Sequence, residues 1–191
     1  MRDPNSLFAV VLAAGTASRF GRQKLLVPFR GEPMVCKALR AAQHVAQSRT
    51  IVVTGYEHRA VESAAAGLFD IAVHNASFAN GLGSSIAAGV RGCPACAEGV
   101  LLLLADQPLI DGPYLRKLVD GWCSSSADIV MSEYGDTLGP PAIFSKSTFD
   151  SLVTLSADEG ARQIVNSGLY SVTTLGERIE NPDFDTPEDL V

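Results

Sequence analysis

The chain has 191 residues, 47% of them hydrophobic and 19% charged, with a formal net charge of −6 and a pI of about 5.0. That length and apolar content suit one domain, 1–191, with a substantial core. The acidic balance excludes a broad basic face for nucleic acid or an anionic membrane, though not one local basic pocket.

In chain order, Leu7–Ala13 reads as a buried strand. It empties into a loop of small residues with Gly15 and Gly21 that carries Arg19, Arg22 and Lys24. Small side chains let backbone N–H groups approach a phosphate, and the cations supply countercharge. The loop has neither the GxxxxGK[ST] spacing nor the full GxGxxG. Arg19 offers a planar fork of donors and Lys24 a compact point charge, so the loop is read as a polyphosphate site. A helix over Pro33–Gln47 follows, with Pro33 suited to a first turn. Next come a strand at Thr50–Thr54, a helix at His58–Ala66 and a strand at Asp70–His74. The turn Asn80-Gly81-Leu82-Gly83-Ser84-Ser85 leads into a helix at Ser84–Arg91 and offers N–H groups and hydroxyls to a ligand.

Gly99–Leu104 is the most apolar strand, and Asp106 follows its end. A carboxylate there must reach solvent, a donor or a cation. Beside a polyphosphate its natural partner is Mg²⁺, which commonly takes one or two carboxylates plus phosphate oxygens. The bland alternative is a helix cap, although Asp111, before a helix at Gly112–Trp122, is better placed for that. Strands at Ala127–Met131 and Pro141–Phe144 follow, with Gly139-Pro140-Pro141 read as a rigid turn into the second. Helices at Ser147–Leu155 and Glu159–Ser167 and a strand at Tyr170–Thr174 complete the series. In the tail, Asp183 and Asp185 would share one face of an extended segment. Either one of them joins Asp106 on a metal, or the segment Asp185-Thr186-Pro187 starts a helix.

Alternating strands and helices imply an α/β fold: a three-layer domain with a mostly parallel, doubly wound sheet and helices on both faces. Ligands in such folds bind beyond the carboxyl ends of the strands. The longest apolar runs are strand-sized, too short to span a bilayer. Met1 to Asn5 carry no secretory core, so a cytoplasmic location is expected. Cys93-Pro94-Ala95-Cys96 is a lone CxxC without further ligands nearby in sequence, and the pair is read as small apolar filler. His44, His58 and His74 show no metal-ligand spacing and are read as structural.

Leu12-Ala13-Ala14-Gly15-Thr16-Ala17-Ser18-Arg19-Phe20-Gly21-Arg22-Gln23-Lys24 resembles the LAAGxSxRxGxxK signature of the nucleotidyltransferases that load a cytidylyl or guanylyl group onto the molybdenum cofactor, the MobA-like NTP transferase family. Ala14 and Lys24-Leu25-Leu26 are more similar to the cytidylyl branch. Val53 to Glu57, Asn80 to Ser85, Ala105 to Pro108, Asp158 to Arg162 and Asp183 to Asp189 match in turn. The resemblance implies a Rossmann-like nucleotidyltransferase fold and Mg²⁺-dependent transfer of CMP from CTP to the terminal phosphate of molybdopterin, with pyrophosphate released. It implies nucleotide contacts from Leu12, Ala13, Ala14, Gly15, Thr54, Asn80, Gly83 and Ser84, and charge neutralisation by Arg19 and Lys24. It further implies Mg²⁺ on Asp106 with Asp185, and a pterin side made of Gly139, Pro141, Asp158 and Arg162. An apo-molybdoenzyme would receive the product; no nucleic acid or membrane is involved. Two departures stand out: Ala157 replaces the usual Gly before Asp158, and Tyr134 to Leu138 lack basic residues. The alternatives are transfer from GTP or to another acceptor such as a sugar phosphate, and a non-catalytic nucleotide- or cofactor-binding maturation factor for a molybdoenzyme.

Overall fold

A computed structural model of the chain describes residues 1–15, 23–156 and 160–178, the side chains of 176–178 aside. Arg19, Asp158 and Asp185 lie outside the described residues, as does the tail segment around Asp183.

Strand β1, Leu7–Ala13, is buried along its whole length. Its side chains alternate between two cores, as the two-residue period of a strand dictates. Leu7, Ala9, Val11 and Ala13 face one core; Phe8, Val10 and Leu12 face the other. The first core is covered by α1 (Met34–Ala46) and α4 (Gly112–Ser124), with Val61 of α2 (His58–Ala64). The second is covered by α3 (Leu82–Arg91), α5 (Phe149–Val153) and α6 (Arg162–Asn166), through Ile86, Val90, Leu152 and Ile164. Helices therefore lie on both faces, as expected. Gly89 lets α3 press onto the sheet: a Cβ there would sit 2.5 Å from Val10 Cγ1 and 2.9 Å from Val53 Cγ2.

The other strands are β2 (Pro28–Phe29), β3 (Glu32–Pro33), β4 (Thr50–Thr54), β5 (Ile71–His74), β6 (Gly99–Leu104), β7 (Ile129–Tyr134), β8 (Thr137–Ser145) and β9 (Val172–Arg178). Seven form one sheet in the order β5-β4-β1-β6-β8-β7-β9. Neighbours pair parallel, except that β8 runs antiparallel to both β6 and β7. The chain steps outward from β1 through β4 to β5, then returns to place β6 on the other side of β1. The strand order thus reverses between β1 and β6, the position where doubly wound sheets open a crevice.

Several sequence expectations shift. Pro33 sits at the N-cap of α1, one residue before the helix, and ends β3. β2 and β3, which periodicity did not predict, pair through a tight turn at Arg30 and Gly31, both with positive φ. Helix α3 begins at Leu82 rather than Ser84. Residues 147–155 open with a 3-10 turn, Lys146–Thr148, before the short α5. The expected helix at 159–167 is the single turn α6. The largest correction concerns Gly139-Pro140-Pro141. It is not a turn before a strand but part of β8, which begins at Thr137 after a turn at Gly135 and Asp136.

Candidate active site

The carboxyl ends of β1, β4 and β6 bring four loops together. Ala14 and Gly15 continue β1, and the Ala105 N–H donates to the Leu12 carbonyl at 3.1 Å, so the turn after β6 starts beside the end of β1. From that turn the Asp106 carboxylate meets the ammonium of Lys24, Nζ to Oδ2 3.2 Å. The Lys24 side chain is 11% exposed and that of Asp106 41%. The cation is therefore held inside the wall and the anion looks outward. An ammonium that covered needs an anionic partner. The helix-cap alternative for Asp106 falls away: Asp111 caps α4, its Oδ1 accepting from the Tyr114 N–H at 2.9 Å.

Lys24 is delivered by a 3-10 turn, Lys24–Leu26, capped by the buried Gln23. Gln23 Oε1 accepts from the Leu25 N–H at 3.4 Å, and its Nε2 donates to the Tyr56 carbonyl at 2.9 Å. Its amide ties the cationic loop to the β4–α2 turn. Gly55, in that turn, lies so close to β1 that a Cβ would stand 2.8 Å from the Ala14 carbonyl oxygen and 2.6 Å from Phe78 Cβ.

Thr54 is fully buried and its hydroxyl donates to Glu62 at 2.7 Å. Only its backbone reaches the crevice side, where its carbonyl accepts from the Asn75 N–H at 2.8 Å. Asn75, which sequence reasoning missed, organises the third loop. Its Nδ2 donates to the hydroxyls of Ser84 and Ser85 at 2.9 and 3.0 Å, and its Oδ1 accepts from the Ser77 N–H at 3.0 Å. The Ser84 hydroxyl in turn reaches the Gly81 and Ser77 carbonyls at 2.8 and 3.0 Å. That hydroxyl is committed within the loop. What Ser84 and Gly83 offer a ligand is backbone at the start of α3, whose first turn has no side-chain cap. Gly81 makes that entry possible with φ 97°. Asn80 is exposed beside it. Leu82 lies against Gly160, 3.6 Å from where a Cβ would be, so the segment leading to the exposed Arg162 borders α3.

The far wall is the β7–β8 hairpin. Tyr134 donates its hydroxyl hydrogen to the Pro140 carbonyl, and Ser132 donates to the Pro141 carbonyl at 2.6 Å. Burial pushes the Tyr134 phenol well above its usual range; Tyr114 adds to this and a hydrogen bond from Gln107 opposes it. The phenol stays protonated at any working pH. Gly139 and Pro141 are buried here, so they shape the wall rather than line an open pocket.

The described residues hold no group of three or more His, Cys, Asp or Glu side chains able to form a cage for a metal. One half-exposed carboxylate still fits a hard divalent cation whose other ligands are phosphate and water oxygens, the usual way Mg²⁺ is held beside a nucleotide. The four cysteines are unbridged, and burial raises the Cys93 thiol from 9.0 to about 12, which keeps Cys93 a neutral thiol near neutral pH. No helix among the described residues is long and apolar enough to cross a membrane.

Comparison with known proteins agrees with this geometry. The MobA-like NTP transferase domain matches residues 9–172. The purine catabolism protein PucB of Bacillus subtilis is 32% identical over 99% of this chain and 96% of its own length. The molybdenum cofactor cytidylyltransferase of Escherichia coli is 27% identical over 98% of this chain and 95% of its own. The crystal structure of Rv0371c from Mycobacterium tuberculosis superposes with a TM-score of 0.82 at 29% identity, covering 96% of this chain and 95% of that one. A manganese complex of the same mycobacterial protein gives 0.79 at 28%, over 96% and 95% of the two chains. With a doubly wound sheet, a lysine and an aspartate facing each other at its reversal point and a family profile spanning most of its length, the chain belongs to the MobA-like NTP transferase family of nucleotidyltransferases.

Proposed function

We propose that this protein transfers CMP from CTP to the terminal phosphate of molybdopterin, using Mg²⁺ and releasing pyrophosphate. The observation that carries the transferase reading is the Lys24–Asp106 pair, 3.2 Å apart at the sheet's reversal point. The choice of CTP and molybdopterin is supported by the Leu12-Ala13-Ala14-Gly15 sequence and by full-length similarity to the Escherichia coli cytidylyltransferase.

The chemistry needs little beyond charge and alignment. A phosphate acceptor is already a nucleophile, so no general base is required. The barrier lies in bringing two anions together in line. Asp106, with Asp185 as second carboxylate, would hold Mg²⁺, which would supply charge neutralisation for the triphosphate. Lys24 moves from the carboxylate to the phosphates and, with Arg19, takes up the charge of departing pyrophosphate. The backbone of Leu12, Ala13, Ala14 and Gly15 borders the nucleotide. Thr54 contributes through its main chain, and Asn80, Gly83 and Ser84 serve base and ribose from the start of α3. Gly139 and Pro141, together with Asp158 and Arg162, form the acceptor side.

A second reading keeps the reaction and changes the substrates: GTP, or another phosphorylated acceptor. It is favoured by Ala157 before Asp158 and by the lack of basic residues in Tyr134 to Leu138. Pyrophosphate release measured with CTP and GTP, each with molybdopterin or a sugar phosphate, separates the two. Release with CTP and molybdopterin alone is expected. Equal or greater release with another pair replaces the first reading by the second, and nucleotide binding without any release leaves a maturation factor.

A further inference from the structure

His58 and His74 are far apart in sequence, but the fold brings their rings to a centroid distance of 4.1 Å, with the planes tilted by 38°. Topology explains the meeting. His74 ends β5 as the register partner of Thr54, and Ala72 is the partner of Val52. Val52 lies in the core that α2 joins through Val61, so the two-residue period of β5 turns His74 towards the face of the sheet that carries α2. His58 is the first residue of α2. His74 is exposed and His58 half-buried, and neither belongs to a hydrophobic core. No described residue hydrogen-bonds to either ring.

Packing does not account for the pair, because a ring contact at the solvent edge adds little to cores that neither residue enters. Coordination chemistry accounts for it better. Each neutral imidazole offers one nitrogen lone pair, the commonest metal-binding donor in proteins. Both lone pairs are unspent on the described residues, and they come from two elements tied to the same sheet. A lone pair lies in its ring plane, and the 38° tilt means that the two planes already converge. Opening them further, so that both nitrogens meet one ion, turns χ2, a broad torsion in histidine. Glu62 stands one turn along α2 from His58, on the same side of the helix. Its carboxylate accepts from the Thr54 hydroxyl at 2.7 Å, which fixes a negative charge beside the pair.

We infer that His58 and His74 form a two-imidazole site for a divalent transition-metal ion of the zinc class, with water completing the coordination. Zinc takes imidazole nitrogen at roughly 2.0–2.1 Å. Imidazole suits Zn²⁺, Ni²⁺ and Cu²⁺, whereas Mg²⁺ keeps to oxygen, so this ion differs in kind from the one that Asp106 would hold. Two protein ligands are fewer than a closed structural site uses, and the ion therefore exchanges with solvent. It links the first residue of α2 to the end of β5, next to the turn that carries Gly55 and the loop that Asn75 organises.

The test is a titration of the chelator-treated full chain with Zn²⁺ by isothermal calorimetry, with Mg²⁺ in excess to occupy carboxylate sites. Wild type is compared with His58→Ala, His74→Ala and Cys96→Ser, the last removing an exposed thiol. One saturable binding event is expected in wild type and in Cys96→Ser. Each histidine variant should weaken it by at least about tenfold, the scale on which even the partners of metal ligands act. Absence of saturable uptake by wild type overturns the inference, as does an event that survives either histidine change or disappears with Cys96. A reading that needs no variant comes from the ring-proton resonances of the three histidines of wild type. Those of His58 and His74 should shift together as Zn²⁺ saturates, and any other pattern overturns the site. Neither measurement reads turnover, so both are independent of the substrates proposed above.

Discussion

The crevice has two sides built on different principles. The side formed by β1, β4, β5 and α3 is backbone and small residues: Ala14 against Gly55, Gly81 opening α3, and Asn75 tying Ser84 and Ser85 to the end of β4. The side formed by β7 and β8 is aromatic and irregular. Its ladder steps from Met131↔Ala142 to Ser132↔Gly139, so Pro140 and Pro141 form a bulge whose carbonyls are taken by Tyr134 and Ser132. A triphosphate asks for N–H groups and close approach, which a regular parallel sheet with tight turns provides. An organic acceptor asks for shape, which a bulged hairpin can vary without disturbing the nucleotide side. On the proposed function, this difference predicts that nucleotide handling and acceptor choice are separable in this protein.

The comparison can be broken most forcefully on the nucleotide side. Asp106→Asn is expected to cut pyrophosphate release by roughly 10³-fold or more while far-ultraviolet circular dichroism stays native, the scale of losing a principal electrostatic group in a transfer site. Retained Mg²⁺-dependent turnover would remove the metal from Asp106. A smaller, more local effect is expected from Gly55→Ala. The added methyl group must displace the Ala14 carbonyl or Phe78. Stability should drop by about 1–3 kcal/mol in a urea titration, and the CTP KM should rise with the molybdopterin KM unchanged. A rise in the acceptor KM instead would mean that the two sides are not separable.

The smallest effect lies away from the crevice. Burial holds the Cys93 thiol at about 12 against its ordinary 9.0. A pKa raised by folding stabilises the protein fully below pH 9, and that contribution is lost as the pH climbs from 9 towards 12. Stability measured across that window should fall less steeply in Cys93→Ala, with turnover at neutral pH unaltered. An unchanged slope would show that burial of this thiol does not govern alkaline sensitivity.

The same division governs how much was legible in the sequence. β1, β4 and β6 begin and end where their apolar runs do, at Leu7–Ala13, Thr50–Thr54 and Gly99–Leu104. Strands covered on both faces write themselves as unbroken hydrophobic runs. β7 and β8 did not, because Gly139-Pro140-Pro141 carries turn chemistry inside a strand. The antiparallel ladder to β6 reaches only from Gly99↔Ser145 to Leu102↔Ala142, so the prolines fall beyond it, where no donor is missed. Lys24 was legible as one of the cations in the loop after β1, and Asp106 as a charge following an apolar run. Gln23 and Asn75 were not, because a buried amide declares itself only through the partners folding brings to it, as Tyr56 is brought to Gln23 and Ser84 to Asn75.

That Lys24 and Asp106 act as one unit on one nucleotide is tested most directly by comparing Lys24→Met, Asp106→Asn and the double variant in CTP-dependent pyrophosphate release. Residues of one catalytic unit are strongly non-additive. The double variant should be about as slow as the worse single one, within roughly threefold. Losses that multiply, each change exacting its full factor in the presence of the other, would contradict a shared site.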